Sequence, residues 1–281
     1  MMRLGRRIYL KISIALFGSD LFEKSESDWT GADRTSREKP YSFLEVLSYS
    51  STLSAITGLA LLLATNGSFD RDSSLTTLSI VFFGTLGIYN LDRIRDLARD
   101  TLHTPGRSKF IFRHKGKLGV LCFGSGALAF SLLLFSGLPM SLRLLPIVLL
   151  GIFHRRLKTR PFWKSIYVAA GWAATLLILA DIGSTSPRDW GKTALVLFFS
   201  LFANTSISGA FAIQRSSRTA IGSAVAAGLI ACTLDPIGRC LILLAIFSGI
   251  GALWAHQSKY HRSIAPDCTL SIGAALSWFA S

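Results

Sequence analysis

Nine apolar stretches recur at roughly even spacing from Phe43 to the C-terminus, at 43–65, 76–91, 117–137, 141–153, 165–183, 192–213, 219–234, 240–255 and 268–281. Half of the 281 residues are hydrophobic and only 16% are charged, whereas a soluble domain carries about 25% charged residues. Such a chain is solvated mainly by lipid. Several stretches fall short of the roughly 20 residues that a span usually needs, so length alone does not count the crossings. Charge placement does. If nine spans alternate from a cytoplasmic N-terminus, one side collects the basic residues between 93 and 117, 155 and 164, 215 and 218, and 259 and 262. The other side receives only Arg71, Arg143, Arg188, Lys192 and Arg239. That asymmetry is the positive-inside pattern, and adding or removing one span would scramble it.

The expectation is therefore an all-α integral membrane protein, a bundle of about nine transmembrane helices, multi-pass, with its N-terminus in the cytoplasm. Residues 1–42 read as a polar, basic cytoplasmic arm, and residues 43–281 as the membrane domain. Within the arm, the apolar patch from Ile8 to Phe22 is interrupted by Lys11 and Asp20, so an interfacial helix fits better than a signal peptide. The net charge of +14 is dispersed between apolar segments and does not form a nucleic-acid patch. Cys122, Cys232, Cys240 and Cys268 lack metal-ligand spacing and read as small packing residues, with a Cys232–Cys240 bridge left open. Trp163, Trp190 and Trp254 near span ends suit an aromatic belt.

One run breaks this apolar monotony. Asp92, Asp96 and Asp100 follow the second stretch at intervals of four, which on a helix places all three carboxylates on one face. The plain reading is a ladder of i,i+3 pairs with Arg93, Arg95 and Arg99, each worth a few tenths of a kcal/mol. Two considerations favour more. The acids lie at a helix C-terminus, where the dipole disfavours anions by about 0.3–1 kcal/mol each. An oxygen-only cluster followed by a basic segment through Thr104-Pro105-Gly106-Arg107, read as ending the helix and opening a loop, also suits Mg²⁺ carrying a phosphate group.

The segment Asp92-Arg93-Ile94-Arg95-Asp96-Leu97-Ala98-Arg99-Asp100, with Pro105-Gly106-Arg107 after it, resembles the first signature of the UbiA superfamily of intramembrane prenyltransferases, NDxxDxxxD followed by Pro-x-Arg. Asp96 and Asp100 fall on that motif's second and third acids, Asp92 on its Asn, and Arg93 on its first acid. The stretch Pro161-Phe162-Trp163-Lys164-Ser165-Ile166-Tyr167, running into Gly171-Trp172, resembles the start of the fifth helix in some members. The resemblance implies a helical bundle around a central lipid-facing cavity, with a site on the cytoplasmic side. It implies Mg²⁺ held by Asp92, Asp96 and Asp100, with Asp96 and Asp100 catalytic. It implies Arg107 and Lys164 on the diphosphate, and a prenyl group passed to an acceptor.

The chain departs from the pattern where a second Asp-rich motif would stand. Asn204 to Thr219 contains no acid, and Arg215 and Arg218 are the candidates to supply positive charge to the diphosphate there. Glu45 is the one stray carboxylate expected on the same side. A catalytically impaired homologue that binds isoprenoid lipid or a partner is therefore the alternative. A transporter is disfavoured because Asp181, the main acid near a span, lies toward the outer end. A CDP-alcohol phosphotransferase would need an Asp-x-x-Asp-Gly upstream, which is absent.

Overall fold

A computed structural model of the chain describes residues 41–97, 105–153, 161–180, 187–208, 213–235, 238–257 and 264–281. The expected interfacial helix at Ile8–Phe22, Asp100 and Asp181 lie outside these residues. The described residues form ten α-helices and no strand. In chain order they are α1 (Phe43–Tyr49), α2 (Thr52–Gly67), α3 (Leu75–Arg95), α4 (Pro105–Phe135), α5 (Leu138–Phe153), α6 (Pro161–Leu179), α7 (Pro187–Ser208), α8 (Ile213–Ala231), α9 (Leu241–Gln257) and α10 (Ala265–Ala280). Each of the nine apolar stretches falls on one helix, with α1 and α2 sharing the first.

That first stretch is broken where the sequence reads as continuous. A capping box starts α1: the Ser42 hydroxyl accepts from the Glu45 amide at 3.2 Å, and the Glu45 carboxylate accepts from the Ser42 amide at 2.8 Å. The chain then turns by 78° into α2 through Ser51, whose φ of 64° is left-handed. A break of this kind strands carbonyls, and α3 supplies their donors. Asn90 Nδ2 donates to the Ser50 carbonyl at 2.9 Å, and Arg93 Nη1 donates to the Ser48 carbonyl.

Two other boundaries also differ from expectation. The basic segment from Pro105 is the opening of α4, not a loop. Proline at a helix's first position loses nothing, because its missing N–H would have no partner there; α4 then runs 31 residues with a kink at His114. At the other side of the acid run α3 ends at Arg95, and Asp96 is its C-cap, with its amide on the Asp92 carbonyl at 2.9 Å. All four cysteines are free, which closes the question of a Cys232–Cys240 bridge.

Neighbours in sequence pack as neighbours in space: α3 lies against α4, α6 against α7, α7 against α8, α8 against α9, α9 against α10, and α10 returns to α2 and α2 to α3. The α2–α10 pair is parallel. Ser54 meets Asp267, Thr57 meets Ser271, and the end of α2 at Gly67 meets Ser281. Leu61, Leu62, Leu176, Leu197, Leu241, Leu244 and Leu270 fill the interior. Large apolar side chains also face outward, among them Val120, Phe130, Phe135, Leu229 and Phe279, a surface no water-soluble monomer exposes so widely. Hydroxyls inside the helices turn back onto their own backbone, as Thr57, Thr65, Thr85 and Ser248 do, which satisfies them without water. By length and composition, α3, α4 and the helix over Gly238–Ala255 can each cross a membrane, and the bent α1–α2 pair makes a fourth.

Candidate functional site

Polar side chains gather at one end of the bundle, where α3 and α7 finish and α2, α4, α6 and α10 begin. On α3, helical spacing brings Tyr89, Asp92, Arg93 and Asp96 onto adjoining positions of one side. Asn90 is fully buried and is spent on structure: its amide donates to the Leu86 and Ser50 carbonyls, both at 2.9 Å, and its oxygen accepts from the Ser51 hydroxyl at 3.3 Å. Tyr89 faces α6, where Trp172 Nε1 donates to its hydroxyl at 3.0 Å and the ring centroids lie 6.4 Å apart. Gly58 on α2 makes room for this pair, since a Cβ there would stand 2.8 Å from the Trp172 ring.

The acids of α3 turn toward the interior of this end. Asp92 lies within electrostatic reach of Tyr89, Arg93 and Tyr167, and Asp96 within reach of Tyr167. Both are partly buried. Arg93 faces Asp92, Asp267 and Arg107. Arg107, in the first turn of α4, is partly buried at the rim, near Tyr49 and Glu45. Around it Tyr41, Tyr49 and Phe110 make an aromatic cluster with centroids 5.2–6.0 Å apart, and His114 stacks edge-on to Phe110 at 4.7 Å.

Asp267, in the first turn of α10, is the member that sequence reasoning missed. Its carboxylate accepts from the Ser54 hydroxyl at 2.9 Å and from Asn204 Nδ2 at 3.4 Å, with Arg93 as a facing positive charge. Pro266-Asp267 carries a helix-start signal, but partners more than 200 residues away on α2 leave no local trace. Asn204 stands at the head of the stretch that has no acid. Thus a carboxylate does reach this neighbourhood, from a different helix.

The structure brings Asp92, Asp96 and Arg107 to one end of the bundle. Lys164 lies in the first turn of α6 at that end, partly buried. Arg218 is exposed on α8; Arg215 lies on the same helix, and its side chain is outside the description, as is Asp100. Among the described residues no three His, Cys, Asp or Glu side chains are grouped to hold a metal. Asp92 and Asp96 alone make an incomplete donor set for Mg²⁺, and the Arg93 guanidinium beside Asp92 adds a positive charge where a cation would have to approach. Asp100, the third acid of the metal cage that the resemblance implies, lies outside the described residues. No family model, no curated protein and no solved structure matches the chain.

Proposed function

We propose that this chain is a multi-pass membrane protein of UbiA-like prenyltransferase type, which takes the head of a prenyl diphosphate into the polar end of its bundle. One observation carries the reading: at the polar end of the bundle Asp92 lies within electrostatic reach of both Tyr89 and Tyr167, and Asp96 within reach of Tyr167. The parallel α2–α10 pair supports an odd number of crossings between chain ends, as nine spans require. The uneven distribution of basic residues between the apolar stretches supports the reading in which this end, and the N-terminus, face the cytoplasm.

In this reading Arg107 and Lys164 meet the diphosphate, for which a guanidinium's fork is suited, with Arg215 and Arg218 contributing long-range positive charge. The allylic C–O bond breaks with its electron pair leaving on the diphosphate. Tyr89, Tyr167 and Trp172 then offer aromatic faces to the allylic cation, a contact worth about 2 kcal/mol when desolvated, until an acceptor captures it.

A second reading keeps the binding and drops the transfer. It is favoured by Arg93, which stands where the resemblance places an acid and is tied to the Ser48 carbonyl. Purified full-length protein given prenyl diphosphates of several lengths, with and without Mg²⁺, distinguishes the two. Release of pyrophosphate is expected for the enzyme. Saturable binding without release selects the binder, and the absence of both sinks the prenyl diphosphate assignment altogether.

A further inference from the structure

Asn204 is 8% exposed, and its Oδ1 has no hydrogen-bond partner among the described residues. Its amide nitrogen is committed to Asp267 Oδ1 at 3.4 Å. Exchanging the two ends of the amide would set an oxygen against a carboxylate, so the acceptor is the end left over. Asp267 offers further lone pairs, since a carboxylate has about four acceptor sites and Ser54 and Asn204 are its two side-chain donors among the described residues. Two acceptors side by side, Asn204 buried and Asp267 partly buried, suit a ligand that brings hydrogen-bond donors.

The place of the pair narrows the ligand. Tyr89 lies within reach of both Asp267 and Asp92, so the pair borders the end assigned to the diphosphate. Trp172 and Tyr89 supply an aromatic wall beside it. Arg93 faces Asp267 from α3.

We infer that Asp267 and Asn204 form the receptor for the protic head of the acceptor, an O–H or N–H group, with Asp267 taking its proton. This rests on the prenyl-transfer reading and adds the acceptor's chemistry to it. The step balances: the allylic C–O bond breaks with its pair on pyrophosphate, a lone pair of the acceptor oxygen or nitrogen forms the new bond to carbon, and the O–H or N–H proton passes to the Asp267 carboxylate. Ser54 and Asn204 hold the carboxylate toward the acceptor throughout.

The test is a titration of the full-length protein in lipid nanodiscs with hydroquinone and with its dimethyl ether, which keeps the ring and lacks the O–H groups. Tryptophan fluorescence and thermal unfolding are the readouts. Hydroquinone is expected to bind saturably and the ether at least about a hundredfold more weakly, because a site built to bond a hydroxyl rejects its analogue. Asp267→Asn and Asn204→Leu should each weaken hydroquinone about tenfold or more, while geranylgeranyl diphosphate affinity stays within about threefold of the parent. With both ligands present, Asp267→Asn should lower kcat about 10²-fold or more. Equal binding of the ether, which needs no variant to observe, overturns the inference. So does hydroquinone binding that neither substitution affects. If hydroquinone behaves as expected and geranylgeranyl diphosphate does not bind, the donor receptor stands and the prenyl reading fails.

Discussion

Asn90→Leu is expected to be among the most damaging single substitutions in the bundle, at about 3 kcal/mol. The side chain is similar in size, so packing is not the issue. What is lost is the donor to the Ser50 carbonyl at 2.9 Å and the acceptor for the Ser51 hydroxyl at 3.3 Å, both at a helix break with no water to replace them. Each buried polar group left unmatched costs about 1–3 kcal/mol, and a lipid-solvated bundle has no solvent route to recover it. The Leu86 carbonyl, already in its own helix ladder, adds little. Thermal unfolding of parent and variant in the same detergent measures the effect. A change below about 1 kcal/mol would mean that the break is not held by Asn90.

The second large effect is expected at Gly273, on the face of α10 that meets α9. A Cβ built there stands 2.6 Å from the Phe247 Cβ, 3.1 Å from the Leu243 carbonyl oxygen and 3.3 Å from the Leu244 Cα. Two of those atoms are backbone and the third is fixed to it, so no rotamer change relieves the clash. Gly273→Val therefore separates the two helices and should cost about 3 kcal/mol, the upper part of the usual range for overpacking. Because α10 also carries Asp267, the shift should reach the polar end of the bundle. Gly228 on α8 is the matched control: its Cβ would lie 3.8 Å from that of Ala245, ordinary contact. Gly228→Ala should be neutral or stabilising by up to about 1 kcal/mol, measured in the same unfolding assay.

The helices themselves were legible because each had to bury its own backbone in an apolar run, and that requirement writes itself locally as composition. Breaks within a run were not. Nothing in Ser48 to Thr52 distinguishes a 78° turn from a continuous helix until Asn90 and Arg93, some 40 residues on, are seen to satisfy the exposed carbonyls. The same holds at Pro105, where one residue type can end a helix or start one, and the neighbouring Gly-Arg did not decide between them. Of the site, Asp92, Asp96 and Arg107 were visible as a spacing pattern, and the side of α3 that carries both acids also carries Tyr89, whose partner Trp172 on α6 is far away in sequence. Asp267 was not visible. It lies one residue before an apolar stretch, as any helix-start acid would, and it gains meaning only from Ser54 and Asn204 on helices far away in sequence.

Arg93 has a structural task of its own within the acid run. Its guanidinium braces the first helix break through the Ser48 carbonyl while facing Asp92, Asp267 and Arg107. A carboxylate at that position would leave the carbonyl without its donor and remove the positive charge opposite Asp267. Arg93 and the break thus belong together, and Asp267 is tied by a hydrogen bond to Asn204, where the acid-free stretch begins.

The central claim is that a prenyl diphosphate lies against Tyr89, Tyr167 and Trp172 at the polar end of the bundle. A photoactivatable prenyl diphosphate analogue, cross-linked to the full-length protein and mapped by mass spectrometry, tests it most directly. The predicted result is label on α3 near Tyr89 and on α6 between Tyr167 and Trp172, competed away by unlabelled prenyl diphosphate. Label confined to outward-facing positions such as Val120, Phe130 and Phe135 of α4, unaffected by competitor, would contradict it.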